Sequence, residues 1–259
     1  MRPIIAVLLL AAAHAAPAAV VEKAIEYEVD GTVVRSVLVY DDAVAAPRPG
    51  LVLVPNWMGA NDAAVAKAKE IAGDKYVVLV ADVYGKDVRP ANTDEAGKAA
   101  MGMYGDRPAL RARAAAALAQ LKAQAGAAPL DATRVAAIGF CFGGATVLEM
   151  ARAGADVAGV VSFHSNLSTS LPAEKGKVTA GVLVLNGADD TYVPAQQIAD
   201  FQAEMTAAGA DWQFVNYAGA VHCFAEPDAN SGPGCQYHAR SARRAFRLMD
   251  DFLAEQFAR

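Results

Sequence analysis

Gly139-Phe140-Cys141-Phe142-Gly143-Gly144 joins an apolar stretch, Arg134 to Ile138, to a stretch of helical character that runs from Gly144 to about Arg152. A strand, a sharp turn bearing a nucleophilic side chain and then a helix is the context that the G-x-nucleophile-x-G pattern requires. Glycines two residues to either side let the chain turn without a side chain colliding, and Gly144 leaves room for the helix to pack back on the strand. The helix N-terminus favours a developing anion, and the Phe142 backbone N–H is placed to donate to an oxyanion. Cysteine suits the turn, because a thiolate at a helix N-terminus beside a histidine is stabilised and strongly nucleophilic. Cys141 is therefore the candidate nucleophile. The competing reading is a buried structural cysteine whose glycines only permit close packing.

Outward from this turn the chain alternates strands with helices. Ile25 to Val29 and Val33 to Tyr40, split by Asp30-Gly31, read as a hairpin. Leu51 to Val54 and Tyr76 to Val80 are continuous apolar runs, as expected of strands covered on both faces. Between them Asp62 to Ala72 suits a helix, with Gly73 near its end. Pro108 to Gln124 is helical. Val157 to Phe163, Val182 to Asn186 and Trp212 to Tyr217 are strands, and Ala195 to Ala208 and His238 to Phe257 are helices. The pattern implies an α/β fold: a mostly parallel central sheet of about eight strands with helices on both faces.

The 259 residues are 54% hydrophobic and 20% charged, enough apolar material for one large core. A net charge of -5 with no Lys/Arg-rich block argues against a nucleic-acid partner. The first residues read as a secretory leader, residues 1–19, ahead of one domain, residues 20–259. Met1-Arg2-Pro3 carries a positive charge, Ile4 to Ala13 is apolar, and Ala13-His14-Ala15 fits a small-x-small cleavage site. That run is shorter than the roughly 20 residues needed to span a bilayer. The expectation is an exported, periplasmic or extracellular monomer without stable membrane association. Of the three cysteines, Cys223 and Cys235 bracket a stretch rich in Asn, Ser, Gly and Pro that folds back easily. A disulfide between them is expected, against the alternative of two unrelated thiols.

Where a nucleophile sits on such an elbow, the acid and then the histidine follow it in the chain. Only four histidines are available. His14 falls in the leader, His164 precedes the candidate acids, and His238 opens the last helix as a surface residue. His222 follows the Trp212 to Tyr217 strand and is the choice. For the acid, Asn186-Gly187-Ala188-Asp189-Asp190 lies at a strand end, where open α/β sheets place their sites. Asp190 is preferred, with Asp189 in reserve, to fix the imidazole tautomer and stabilise the imidazolium.

Three segments together resemble the dienelactone hydrolase family, α/β-hydrolases with a cysteine nucleophile: Gly139 to Gly144, Gly187 to Pro194, and His222-Cys223-Phe224. Ala81-Asp82-Val83-Tyr84-Gly85 is similar to a further family segment, and the resemblance covers most of the chain after about Glu22. It implies a Cys141–His222–Asp190 triad and a carboxymethylenebutenolidase-like hydrolysis of a small ester or lactone. It also implies the Trp57 backbone N–H as second oxyanion donor.

Two positions depart from the pattern. Asn56 stands where the family's dienelactone-opening members carry a glutamate that holds the resting thiol, and being neutral it cannot do so. Glu226 stands where those members carry an arginine for a substrate carboxylate, which it would repel. Arg107, Arg111 and Arg113 are candidate replacements, against the plain reading of solvated helix charges. Asn56, Tyr84, Arg107 and Tyr192 are the candidate substrate-binding residues, with Trp57, Tyr104 and Phe163 as further aromatics near strand ends. No Gly-rich phosphate loop and no zinc-spaced His/Cys cluster is present, so no cofactor or metal is implied. A non-catalytic ligand-binding protein on the same scaffold is the rival reading. Thiol redox chemistry is disfavoured by the lack of a C-x-x-C.

Overall fold

The computed structural model describes residues 20–259, so the expected leader lies outside the described residues. Eight strands form one sheet in the order β1-β2-β4-β3-β5-β6-β7-β8. They are β1 (Val20–Val29), β2 (Thr32–Asp41), β3 (Arg48–Val54), β4 (Val77–Val80), β5 (Leu130–Phe140), β6 (Gly159–Phe163), β7 (Gly181–Gly187) and β8 (Trp212–Tyr217). The hairpin β1–β2 and the β2–β4 pair are antiparallel, and the other pairs are parallel. This is the mostly parallel sheet expected from the sequence.

Helices α1 (Asp62–Ala72), α2 (Thr93–Gly105), α3 (Arg107–Lys122), α4 (Phe142–Arg152), α5 (Ala195–Ala208) and α6 (Ala239–Phe257) cover it. Alternate residues of each central strand serve opposite cores. Val52, Val54, Leu79 and Ala137 pack with residues of α3, α4 and α5, whereas Leu51, Leu53, Val80 and Ile138 pack with those of α1 and α6. Burial on both faces is why these strands read as unbroken apolar runs; each buried Val or Leu contributes about 1.5–3 kcal/mol.

The helix α2 was not expected from the sequence. Its start is nevertheless encoded: the Asn92 side chain accepts from the Glu95 N–H, and the Glu95 carboxylate accepts from the Ala91 N–H, a capping arrangement of Asn and Glu three apart. Three glycines within it, Gly97, Gly102 and Gly105, mask the helical pattern.

At the centre, β5 runs directly into the elbow and α4 begins at Phe142, two residues earlier than expected. A Cβ on Gly139 would lie 2.1 Å from the Gly143 carbonyl oxygen, and one on Gly143 would lie 1.9 Å from that of Val54. No side chain fits either place. This contact seats the start of α4 on the end of β3, beside the loop that carries Asn56 and Trp57. Cys141 itself takes φ 52° and ψ -115°, a left-handed conformation unusual for a residue with a Cβ.

Candidate active site

Each candidate side chain leaves the carboxyl end of a strand. Cys141, half-buried and free, is pinned by its N–H donating to the Phe163 carbonyl at 3.0 Å. Asp190 follows β7 in a tight turn: its N–H donates to Gly187 O at 3.1 Å, and its Oδ1 accepts from the Tyr192 N–H at 2.9 Å. Its Oδ2 lies 2.8 Å from His222 Nδ1, and His222 Nε2 lies 3.2 Å from Cys141 Sγ. Asp189, the reserve acid, is exposed, and its backbone N–H donates to Ala220 O at 2.9 Å. The turn points one aspartate inward and the next outward.

Burial works against a charge on His222. The hydrogen bonds to Asp190 and Cys141 overcome it, and the imidazole pKa is pushed up to about 10. An imidazolium held between a carboxylate and a sulfur is the resting form this favours. His164 stands edge-on to His222 with ring centroids 5.1 Å apart. It is fully buried, and neither ring nitrogen has a hydrogen-bond partner among the described residues. Burial, and then the positive charge on His222, hold its pKa well below the ordinary value, so it stays neutral.

The Phe142 N–H opens α4, where no carbonyl of the same helix receives it. Trp57 lies in a turn closed by the Gly59 N–H on Asn56 O at 3.0 Å, and its carbonyl accepts from the Tyr84 hydroxyl at 3.1 Å. Tyr84 and Tyr104 flank Phe142, with ring centroids at 5.1 and 5.4 Å. Burial above all pushes both phenols above their ordinary pKa, helped at Tyr84 by Tyr104 and then Cys141 and at Tyr104 by Cys141, so both remain donors. Tyr192 meets the His222 ring at 5.2 Å but is 64% exposed, a residue of the rim.

The three arginines ahead of the elbow separate clearly. Arg111 binds Glu149 at 2.8 Å and the Leu171 carbonyl at 2.6 Å. Arg113 binds the Val83 and Tyr84 carbonyls and the Thr32 hydroxyl. Both hold the scaffold together. Arg107 stacks over Tyr104 at 4.4 Å and donates to Ser168 O at 3.1 Å, while its Nη1 is buried with no hydrogen-bond partner among the described residues. Asn56 turns its amide to Glu226 Oε1 at 3.3 Å and to the Met58 N–H at 3.0 Å. Glu226 in turn pairs with Lys67 of α1. Lys67 and His164 carry no local signature, and the sequence gives neither a role in the site; only contacts across the fold bring them there.

Cys223 and Cys235 are joined in a disulfide. Cys223 directly follows His222 and has φ 63°, and the Gln236 N–H donates to His222 O at 3.1 Å. The crosslink thus holds the histidine loop. His238 stands at the N-terminus of α6 without a side-chain cap, its Nδ1 2.7 Å from the Ser241 hydroxyl. With a sequence separation of 12, the disulfide is worth about 3 kcal/mol through restriction of the unfolded chain. Cys223→Ser/Cys235→Ser should lower Tm by roughly 6–12 °C, and a reducing agent should do the same to the native chain. Equal melting curves with and without reductant would remove this role.

Among the described residues no group of three His, Cys, Asp or Glu is arranged to hold a metal, and no helix is long and apolar enough to cross a membrane.

The fold is shared with known proteins. The chain is 36% identical to a dienelactone hydrolase-like promiscuous phosphotriesterase from metagenomic libraries, with 92% of this chain and 99% of that one aligned at a TM-score of 0.83. An esterase of Thermogutta terrifontis, 18% identical over 90% of this chain and 94% of its own with a TM-score of 0.63, shares the fold. A putative carboxymethylenebutenolidase of Salmonella typhimurium is 31% identical over 48% of this chain, which spans about half (47%) of that protein's length. An uncharacterized protein of Caenorhabditis elegans is 33% identical over 50% of this chain and 84% of its own. The family model for the dienelactone hydrolase family matches residues 34–257; the chain is a member of that family, a hydrolase with the α/β-hydrolase fold.

Proposed function

We propose that the protein hydrolyses small carboxylic esters or lactones through an acyl-enzyme on Cys141. The observation that carries this reading is the unbroken line Asp190–His222–Cys141, at 2.8 and 3.2 Å, on a strained elbow. The Cys141 thiolate attacks the carbonyl carbon, and the electron pair moves to oxygen between the Phe142 and Trp57 N–H groups. Collapse expels an alkoxide, which takes its proton from His222. Acylation removes the thiolate that helped raise the His222 pKa. His222 is then a better base and takes a proton from the attacking water. The C–S bond breaks, the acid departs, and thiolate and imidazolium return.

The site favours neutral substrates. Glu226 stands where a substrate-binding arginine is found in the family's dienelactone-opening members, and Lys67 already occupies its carboxylate. Arg107 remains as the cation for a substrate carbonyl, since Arg111 and Arg113 are bound to the protein. Tyr84 and Tyr192 complete the proposed binding surface, whereas the Asn56 amide is engaged at both ends by Glu226 and Met58. The phosphotriesterase title of one solved relative supports a second substrate class, because the same thiolate and oxyanion donors suit attack at phosphorus. The disulfide supports work in an oxidising compartment, in keeping with export.

The test is a panel of p-nitrophenyl esters, lactones with and without a carboxylate, and an aryl phosphotriester. Rapid acid quench is followed by mass analysis of the Cys141 peptide. Turnover of the neutral members with one acyl group on Cys141 is expected. Ligand binding without turnover or an acyl adduct would favour the non-catalytic binding protein instead.

A further inference from the structure

We propose that Lys67, Glu226 and Asn56 form a positioning network that fixes the oxyanion loop, a role resting on the Cys141 hydrolase reading above. The three residues come from separate parts of the chain and meet beside the elbow. Asn56 opens the loop after β3. Its Oδ1 accepts from the Met58 N–H at 3.0 Å, so the side chain folds the loop over Trp57. The amide must therefore present Nδ2 on its other side, and there Glu226 Oε1 receives it at 3.3 Å. An ionised carboxylate is acceptor-only, so Glu226 fixes which way the Asn56 amide faces.

Glu226 is 7% exposed, and a carboxylate buried that far needs a counter-charge. Lys67 supplies it, and its ammonium also lies 4.1 Å over the ring of Phe140, the residue before the nucleophile. Glu226 is four residues past His222, with its N–H on Cys223 O at 2.8 Å. One network thus ties the oxyanion loop to the segments that carry the nucleophile and the histidine. A cavity of about 340 Å³, lined by Asn56, Met58, Lys67, Phe140 and Glu226 among others, adjoins the pair. Close packing therefore does not set the Glu226 orientation, and the polar contacts do. The Tyr84 hydroxyl on Trp57 O holds the opposite side of the same loop.

A displaced oxyanion donor raises the barrier for attack without changing how substrate or thiolate is held. The assay compares kcat and KM on a p-nitrophenyl ester, affinity for a trifluoromethyl ketone, and the rate of Cys141 alkylation by iodoacetamide. The ketone adds the thiolate to give an oxyanion, whereas alkylation forms none. Asn56→Ala is expected to lower kcat and ketone affinity together by about 10- to 100-fold, with KM and alkylation unchanged. Lys67→Met should lose about 10-fold by leaving Glu226 buried without its partner. Lys67→Met/Glu226→Gln should recover most of that loss, because the glutamine side chain keeps an acceptor for Asn56 and no charge is stranded.

Should Asn56→Ala not fold, Asn56→Ser retains an acceptor for Met58 without the reach to Glu226, and it should show the same split. An unchanged kcat in the Asn56 variants, or a double variant no better than Lys67→Met, overturns the proposal. So does alkylation slowed in parallel with kcat, since the network would then act on the thiol–imidazole pair. Failure of the underlying hydrolase reading looks different: the native chain itself would alkylate at a rate indifferent to His222→Ala.

Discussion

Cys141→Ala is expected to lower kcat on activated esters by at least about four orders of magnitude while leaving the fold in place. The size of the loss follows from what is removed. Without sulfur no acyl-enzyme forms, and the imidazole and oxyanion donors can only assist direct attack by water. The fold survives because the side chain is small and half-buried, and the strand, the turn and α4 are held by backbone contacts such as Cys141 N to Phe163 O. Cys141→Gly separates strain from chemistry. At φ 52° and ψ -115° a glycine is unstrained, so this variant should be equally inactive yet melt above Cys141→Ala. Steady-state kinetics and thermal melts on the same preparations decide it. Retained turnover in Cys141→Ala would remove cysteine from the mechanism.

The elbow was legible because its chemistry is local. Gly139 is dictated by the Gly143 carbonyl four residues on, and although Gly143 answers to the distant Val54 carbonyl, both glycines leave their mark within one five-residue stretch. The same holds for the hairpin at Asp30-Gly31, where both residues take positive φ. Strand order was not legible, because Leu51–Val54 and Val77–Val80 are buried on both faces and look alike in sequence. The choice between Asp189 and Asp190 had a preference but no proof in the sequence; the turn decides it by burying one and exposing the other. The role of Glu226 was the hardest to read. A carboxylate in place of an expected arginine reads as repulsion until Lys67, 159 residues away, is seen against it.

Asp190→Asn should lower kcat by roughly three to four orders of magnitude with little change in overall burial. The amide is nearly isosteric, but it can turn its NH₂ toward His222 Nδ1 and so reverse the tautomer. Nε2 would then carry the proton of a neutral ring and could not receive the one from Cys141. The same change has a signature in pH. Although burial opposes the charge, the Asp190 and Cys141 hydrogen bonds raise the His222 pKa from 6.5 to about 10. A raised histidine pKa adds stability that is complete below the unfolded value of 6.5 and is lost as pH rises through about 10. Native stability should therefore decline across that window, and the decline should be shallower in Asp190→Asn. Alkylation of Cys141 near neutral pH should slow as well, because a neutral imidazole no longer stabilises the thiolate. Denaturant melts from pH 6 to 10 and alkylation rates over the same range read the two effects independently. If both profiles match those of the native chain, Asp190 does not set the charge of His222, and the acid of the triad must be sought elsewhere.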